Sequence, residues 1–435
     1  MRSKKVLCTA LAVMVINSFN FLSAEAAIDP GERPVTNPSS QATKGSKAVP
    51  LVEKYLIDCQ LDAGEKAMCN RLQAHPRDDQ ARFGLAVLQF LRGVEQLFQD
   101  LYHYGWRDFS GRSPLSGRWP QGVNENPATM NYTQARQIVE NLRLNLLRSE
   151  ASLAAITDPD VTLLLHFGLI RLDLNGDGRL DDKEYLWKIY AHASNNYAIE
   201  EAKAADFYIK FDRGDVHWLQ GYCHLLLALC ETYLAYDTRE LFERTGHLFF
   251  SRVDSPYNKL QTSKHLGNVP HSDLDVLDAI AFIHLIHCPL SAPEKMEAAL
   301  HHLEVVVAQS RISWKWIMLE VDDDHEWLPN PKQTGVIPGV RVTDEMVTTW
   351  ARIMDEAEKL LAGKLLLPFW RGAEGRGINL RRVFLEPRLF DLVLWVQGSD
   401  ALPYLEQGET TKGADWREWT RTFGGNFPGF AIWFN

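Results

Sequence analysis

Apolar residues recur every three or four positions along most of this chain, a spacing that predicts helices. The first long example follows a proline turn at residues 75–79. Its apolar face carries Phe83, Val87, Phe90, Val94, Leu97, Phe98 and Leu101. A second long helix is predicted over residues 133–156, where the apolar residues again share one face. These two segments predict a core of amphipathic helices packed side by side.

The same period predicts further helices in the second half of the chain. They cover residues 198–211, 217–236, 239–250, 274–287, 293–310 and 344–366. Ser291 and Glu294 have the spacing of a capping box, and Thr343 precedes another of these helices as its cap. Strand signals are limited to residues 378–385 and 389–396. The pattern therefore predicts an all-α fold of stacked helical hairpins with a short irregular or β-containing C-terminal segment.

The first residues have the order of a secretory signal peptide. Arg2, Lys4 and Lys5 are followed by a mostly apolar run, and a small-residue cleavage site stands at residues 24–26. We therefore expect residues 1–26 to be removed on export to the periplasm or the outside of the cell. An uncleaved membrane anchor is the alternative. No later stretch approaches the roughly twenty apolar residues of a membrane helix.

Changes in composition divide the remaining sequence into five parts. Residues 27–50 are rich in Pro, Gly, Ser and Thr and predict a flexible lead. Residues 51–157 are an N-terminal helical region, residues 158–195 hold a separate motif, and residues 196–366 are a second helical region. Residues 367–435 are rich in aromatic side chains and are predicted to lie as a strap over the helical core.

The separate motif centres on residues 173–184, here named the calcium loop. Oxygen-bearing side chains occupy positions one, three, five, nine and twelve of this stretch. Calcium takes about six to eight oxygen ligands, which one short loop of this spacing supplies. The candidate ligands are Asp173, Asn175, Asp177, the carbonyl of Arg179, Asp181 through a water and Glu184 as a bidentate clamp. Gly178 lacks a Cβ and can take the positive φ of the sharp turn. The stretch predicts a site for one Ca²⁺.

The calcium loop resembles the EF-hand family at each ligand position and at its glycine. The resemblance implies a helix–loop–helix around one Ca²⁺. Asp158 and Pro159 have the order of a helix start, and residues 161–172 are apolar nearly all round, as a buried entering helix would be. After the loop, Leu186 and Ile189 begin the apolar face of an exiting helix.

A dockerin-type calcium repeat is the nearer alternative to an EF-hand. Such loops lack the entering helix, but they usually come duplicated and carry Asp at the last position. EF-hands also normally pair. The nearest second candidate here starts at Asp212 and has Cys223 where the clamp would stand. The predicted hand is therefore single and embedded in the helical chain.

Residues 75–102 resemble, more weakly, the start of a tetratricopeptide repeat, in which a proline-containing turn precedes a helix with small residues. This resemblance implies a helical-repeat solenoid. An ordinary amphipathic helix explains the same pattern, since no strict period repeats along the chain.

The net charge of the chain limits the classes of partner it can bind, and its cysteines bear on the redox state of its compartment. The signal holds three basic residues and one acid, so its removal takes the net charge from −10 to −12. An acidic chain argues against nucleic acid and anionic membranes as partners. Cys59 and Cys69 are close enough in sequence to form a disulfide in an oxidising compartment. Cys223, Cys230 and Cys288 lie in apolar segments and are predicted to be buried thiols.

Three other groups of residues have candidate chemistry, each with a plainer interpretation. One group could form a transition-metal site, and it consists of His284, His287, His301, His302 and Glu304. The plainer interpretation is that these histidines are structural residues of the helical core. Residues 322–326 contain four carboxylates close together in sequence, and their mutual repulsion would raise the pKa of some of them, as suits a general acid or a cation site. The plainer interpretation is a solvated loop. Residues 371–377 are basic and rich in glycine, and their backbone N–H groups could bind an anion. The plainer interpretation is an ordinary surface turn.

We therefore expect an exported calcium-binding helical protein in which calcium acts mainly as a structural brace and a helical surface contacts another protein. The alternative is a secreted carbohydrate-directed hydrolase with a structural calcium site. Such an enzyme needs paired carboxylates in a cleft, and thirteen tryptophans make an aromatic cleft conceivable. No catalytic residue can be assigned from the sequence, because motifs for nucleophilic or phosphate chemistry are absent from it.

Overall fold

The structure is a computed structural model that describes residues 49–107, 123–189, 204–205, 207–257, 259, 271–336, 341–371, 375–425 and 427–434. It is mostly helical with few, short strands, as the apolar period predicts. The helices are α1 Leu51–Ile57, α2 Leu61–Ala74, α3 Asp79–His103, α4 Tyr132–Ala154, α5 Arg213–Ala235, α6 Arg239–Thr245, α7 His271–His284, α8 Pro293–Ile317, α9 Asp344–Leu361, α10 Leu380–Leu385, α11 Leu392–Gln397, α12 Gly413–Thr422 and α13 Phe427–Phe434.

The strands are two or three residues long and pair antiparallel. They are β1 Leu163–Leu165, β2 Ile209–Phe211, β3 His287–Cys288, β4 Leu367–Pro368, β5 Arg376–Ile378, β6 Phe390–Asp391 and β7 Leu405–Gln407. β1 pairs with β2, β3 with β6, and β5 lies between β4 and β7. Pairs this short cannot carry the fold, so they join segments between helices.

The long helices pack in the order of the chain, each against the next. α2 contacts α3, α3 contacts α4, α4 contacts α5, α5 contacts α8, and α8 contacts α9. One core cluster lies among α1 to α5 and includes Leu56, Phe83, Leu88, Leu142 and Leu226. A second lies among α8, α9, α12 and α13. The predicted core of stacked amphipathic helices is confirmed at this level.

Several helices begin at a side chain that satisfies a free backbone N–H. Asp78 accepts the N–H of Ala81 before α3 at 3.0 Å, and Thr343 accepts the N–H of Met346 before α9 at 3.2 Å. Such caps replace hydrogen bonds that the first turn cannot make within the helix. The prediction of Thr343 as a cap is confirmed.

The predicted capping box at Ser291 and Glu294 is wrong. Ala292 is the N-cap of α8 and makes no side-chain cap hydrogen bond. The hydroxyl of Ser291 donates instead to the carbonyl of Ala235 at the end of α5, at 3.0 Å. The Ser291 side chain therefore makes a tertiary hydrogen bond instead of the helix cap that the local sequence pattern predicts.

The predicted entering helix over residues 161–172 is also wrong. This segment contains β1 and a 3-10 turn, Phe167–Leu169. Leu163 stands opposite Phe211 of β2, so the end of the predicted helix over residues 198–211 is a strand as well. An unbroken apolar run suits a buried strand as well as a buried helix, and the pairing partner decides between them.

Both predicted C-terminal strands are mostly helical. In residues 378–385, Asn379 accepts the N–H of Arg382 and starts α10. In residues 389–396, Asp391 accepts the N–H of Leu394 and starts α11. A polar residue inside each apolar run acts as a helix cap, so the residues after it form a helix of six residues rather than a strand.

The predicted disulfide is wrong, since Cys59 and Cys69 are both free thiols. Cys69 is exposed on α2, whereas the Sγ of Cys59 lies 3.6 Å from Oε1 of Glu95. Burial and the charge of Glu95 raise the pKa of the Cys59 thiol to about 12. The other three cysteines of the described chain are buried thiols, as predicted: Cys223, Cys230 and Cys288.

Several predictions fall outside the described residues. These are the signal peptide at residues 1–26, all but the last residues of the lead, and the exiting helix beyond Ile189. Within the described ranges, no helix combines the length and the apolar character needed to cross a membrane.

Candidate calcium site

Backbone hydrogen bonds tie the two ends of the calcium loop together. The N–H of Leu172 donates to the carbonyl of Glu184 at 3.2 Å, and the N–H of Leu186 donates to the carbonyl of Ile170 at 2.8 Å. This antiparallel pairing brings the first and last candidate ligands, Asp173 and Glu184, to the same end of the loop. The loop is thus closed at its neck without an entering helix.

The first candidate ligand, Asp173, organises the inside of the loop. Its Oδ1 accepts the N–H of Gly176 at 2.7 Å, and its Oδ2 accepts the N–H of Gly178 at 3.0 Å. Both glycines have positive φ, 73° and 68°, a conformation that costs little without a Cβ. The positive φ predicted for Gly178 is confirmed. The backbone therefore curls around the Asp173 carboxylate.

Helix α3 holds the start of the calcium loop in place. Glu95 accepts the N–H of Asp173 at Oε1, at 2.9 Å, and Nε2 of Gln99 donates to the Asp173 carbonyl at 2.7 Å. Burial raises the pKa of Glu95 to about 7. Two side chains one helical turn apart thus anchor both backbone groups of Asp173.

The clamp residue Glu184 is buried, with 0% of its surface exposed. Burial, together with the charges of Asp173, Asp177 and Asp181, raises the pKa of its carboxyl to about 7. Its Oε2 accepts the N–H of Asp181 at 3.0 Å. The charges of the predicted ligands therefore act on one another.

No ion pair in the described part of the chain joins Asp173, Asp177 or Asp181 to a basic side chain. The neighbouring acid Asp182, which is not a predicted ligand, lies 3.9 Å from Nζ of Lys188. A doubly charged cation would offset this acidity, and carboxylate oxygens are the ligands that calcium prefers. The residue types of the loop fit Ca²⁺, but no three of its acids, all of them described, bring carboxylate oxygens within 4.8 Å of one another.

The remaining predicted ligands take part in the hydrogen bonds of the loop itself. Asn175 accepts the N–H of Asp177 at 2.8 Å, and Asp177 accepts the N–H of Arg179 at 2.8 Å. Asp181 accepts the N–H of Lys183 at 2.8 Å and caps a 3-10 turn. All six predicted ligands therefore lie on one curled segment, and the five whose side chains are candidate ligands each accept a backbone N–H within it.

A second acidic group, which sequence reasoning did not assemble, comes from three distant segments. Carboxylate oxygens of Asp212, Glu320 and Glu326 lie within 4.8 Å of one another. Burial and the charge of Asp212 raise the pKa of Glu320 far above its ordinary value, and burial raises that of Glu326 to about 7. With its pKa raised, the Glu320 carboxyl keeps its proton and can donate it in a hydrogen bond to Asp212, which reduces the repulsion within the group.

The acidic stretch at residues 322–326 divides its side chains between two environments. Asp322 pairs with Lys210, whose hydrogen bond lowers the pKa of the Asp322 carboxyl, and Asp324 accepts the hydroxyl of Tyr208. Glu326 turns inward and is 4% exposed. Crowding was expected to raise pKa values here; the pKa rises at Glu326, chiefly because that side chain is buried.

The histidine group is not brought together. His302 pairs with His224 of α5, and His287 pairs with Asp391 of β6. Glu304 pairs with Arg381. Within the described ranges these side chains form no common site. The plainer interpretation of structural histidines is therefore confirmed for His302.

Two features of the site had no clear signal in the sequence. Glu95 and Gln99 look like exposed polar positions of a long helix, although they hold Asp173. Asp212 carries a cap signal, since it accepts the N–H of Gly214 at 2.7 Å, but nothing local indicates its approach to Glu320. A search of protein-family models, curated proteins and solved structures finds no match to this chain.

Proposed function

We propose that this chain is an exported calcium-binding helical protein in which one Ca²⁺, bound by the calcium loop, acts as a structural brace. The main support is Glu184, a buried carboxyl that faces three aspartate charges at the closed neck of the loop. The ion would be held by Asp173, Asn175, Asp177, Asp181, Glu184 and the carbonyl of Arg179.

The brace would act on the contacts between the loop and the first helices. Asp173 is anchored on α3, and the N–H of Arg171, just before the loop, donates to the carbonyl of Leu56 at the end of α1, at 3.1 Å. An exported protein meets abundant calcium, so a dissociation constant of about 10⁻⁴ to 10⁻³ M leaves the site largely filled. A site that is filled at all times cannot respond to changes in calcium concentration, so the proposed role of the ion is structural.

The rest of the proposed function is protein interaction. The helices pack one against the next, and α5 is covered on all sides by its neighbours, so a partner would contact the exposed faces of the outer helices. The partner is another protein, since the chain is acidic and its charge does not suit nucleic acid.

Calorimetric titration and thermal unfolding test the brace. We expect one calcium ion per chain and a higher melting temperature in calcium than in chelator. At calcium a hundred times above the dissociation constant, binding adds about 2.7 kcal/mol to stability. For a chain of this size that is a shift of several degrees at most. Glu184→Gln should remove most of the shift, because it deletes the clamp charge with little change in shape.

Asp182→Asn is the matched control. It removes one charge from the same loop at an exposed position outside the predicted ligand set, so it should keep the calcium shift. Equal melting temperatures of the wild type in calcium and chelator, or two ions per chain, would show that the single-ion brace is wrong.

The hydrolase alternative is less well supported. A glycoside hydrolase needs two carboxyl groups about 5 to 9.5 Å apart across a cleft that admits a sugar. The group of Asp212, Glu320 and Glu326 is tighter, with oxygens within 4.8 Å, and Glu326 is almost fully buried. This spacing favours proton sharing over a nucleophile and acid on opposite sides of a substrate.

A further inference from the structure

A cavity of about 120 Å³ lies between α3, α5 and the segment that leads into the calcium loop. α3 contributes Phe83, Val87 and Phe90, which recur at helical spacing on one face. α5 contributes Trp218 and Tyr222, one turn apart. Two helix faces therefore form two of the walls of the cavity.

Aromatic rings continue around the third wall. Phe83 lies edge to face with Phe211 at 6.4 Å, and Phe211 lies edge to face with Phe167 at 6.2 Å. Phe167 contacts Trp327 at 6.3 Å, and Trp327 lies edge to face with Trp218 at 5.7 Å. These centroid distances are those of favourable aromatic pairs. The rings support one another and hold the wall in place.

The series of ring contacts continues from α5 to α3. Trp218 stacks on Tyr222 with centroids 5.4 Å apart, and Tyr222 lies edge to face with Phe90 of α3 at 6.0 Å. Seven rings thus line a pocket that is partly open to solvent and that neighbouring side chains leave unfilled. Protein interiors are close-packed, and a void of this size forfeits packing contacts unless something occupies it.

The wall of the cavity offers almost no polar surface. Asp215 is the acidic residue among those that line it, and it is 5% exposed. Its Oδ2 accepts the N–H of Asp212 at 3.0 Å, so the carboxyl serves the start of α5. Water needs about two to four polar partners to be held inside a protein. A charged ligand would lose its hydration here without replacement.

We propose that this cavity binds one small uncharged aromatic molecule of about the size of benzene. Apolar cavities of similar volume stay dry and take up benzene or xenon. The surrounding rings can meet a planar ligand edge to face as well as by stacking. This binding is separate from the proposed calcium site, although Leu172, which also lines the cavity, directly precedes Asp173.

Titration of the full chain with benzene, in calcium buffer throughout, tests the proposal. We expect one benzene per chain and a melting temperature that rises with benzene concentration. Toluene and N-methylpyridinium have the same shape and differ by one positive charge. Toluene should bind at least tenfold more tightly than N-methylpyridinium. Equal or tighter binding of the cation would overturn the assignment to uncharged ligands.

Val87→Phe should fill the cavity and weaken benzene binding at least tenfold. The matched control is Val276→Phe on α7, where the valine is 57% exposed, and it should leave binding unchanged. Circular dichroism checks that both variants fold. Unchanged binding in a folded Val87→Phe variant would contradict the proposal.

A crystal of the wild type under xenon pressure gives a readout that needs no variant. Xenon density between α3 and α5, beside Phe90 and Trp218, is the expected result. Absence of xenon there, together with no heat of benzene binding, would overturn the proposal.

Discussion

At the scale of single residues, the buried histidine pair makes stability depend on pH. Nδ1 of His302 lies 2.8 Å from Nδ1 of His224. Burial, and then the neighbouring rings of His224 and His301, lower the pKa of His302 to about 4, against the opposing charges of Glu231 and Glu150. The ring is therefore neutral in the folded protein at neutral pH.

A histidine whose pKa is lowered on folding binds its proton more readily in the unfolded chain. The stability it contributes is complete above about pH 6.5 and is lost as the pH falls toward about 4, by up to about 1.4 kcal/mol per pH unit. Carboxyl groups with a raised pKa, such as Glu95 and Glu326, change stability in the opposite sense, so urea unfolding at pH 7, 6 and 5 should show the decline as a difference between the wild type and His302→Gln. His302→Gln should reduce the slope.

The control is His284→Gln, at an exposed position at the end of α7, which should keep the slope of the wild type. NMR titration of the ring gives a direct check. A His302 ring that titrates near pH 6.5 would contradict the prediction.

At the scale of helices, small residues set the distance between α1 and α3. A Cβ added at Gly84 would lie 2.9 Å from Cβ and 3.0 Å from Cγ1 of Val52. Overpacking of this kind costs about 1 to 3 kcal/mol, whereas alanine in a helix gains about 1 kcal/mol over glycine. Gly84→Ala should therefore lower the free energy of unfolding by up to about 2 kcal/mol in urea titration.

Gly413→Ala is the matched control for this substitution. Its added Cβ would meet Nη1 of Arg417 at 3.6 Å, an ordinary contact with a flexible side chain. Its stability should stay within about 0.5 kcal/mol of the wild type or rise slightly. A gain in stability for Gly84→Ala would mean that α1 and α3 separate without cost.

At the scale of the molecule, α13 and Trp218 join the two core clusters. Trp218 packs against both clusters, and its Nε1 donates to the carbonyl of Trp433 at 2.7 Å. Phe434 is 0% exposed and packs on Trp314 with centroids 4.7 Å apart. The last described residues are therefore part of the core.

Phe434→Ala should lower the free energy of unfolding by about 3 to 5 kcal/mol, because it leaves a cavity between α8, α9 and α12. Urea unfolding measures the change. Val321→Ala, at a residue that is 99% exposed, should stay within about 0.5 kcal/mol of the wild type. A loss below about 1 kcal/mol for Phe434→Ala would show that α13 is not integral to the core.

The sequence by itself determined the features that depend on neighbours along the chain. The spacing of apolar residues located α3, α4, α5, α8 and α9, because residues three or four positions apart lie on the same face of a helix and are buried together. The calcium site could be proposed from the sequence for the same reason, because twelve consecutive residues carry its candidate ligands and its glycine turn. The cap at Thr343 is equally local.

The tertiary structure decided the features that need a partner far along the chain. Residues 163–165 became a strand because residues 209–211 pair with them. Glu95 and Gln99 hold Asp173 across more than seventy positions. The acidic group and the aromatic cavity likewise collect side chains from separate elements. Hydrogen-bond partners, burial and the pKa values that follow from burial are properties of packing, and a linear pattern does not contain them.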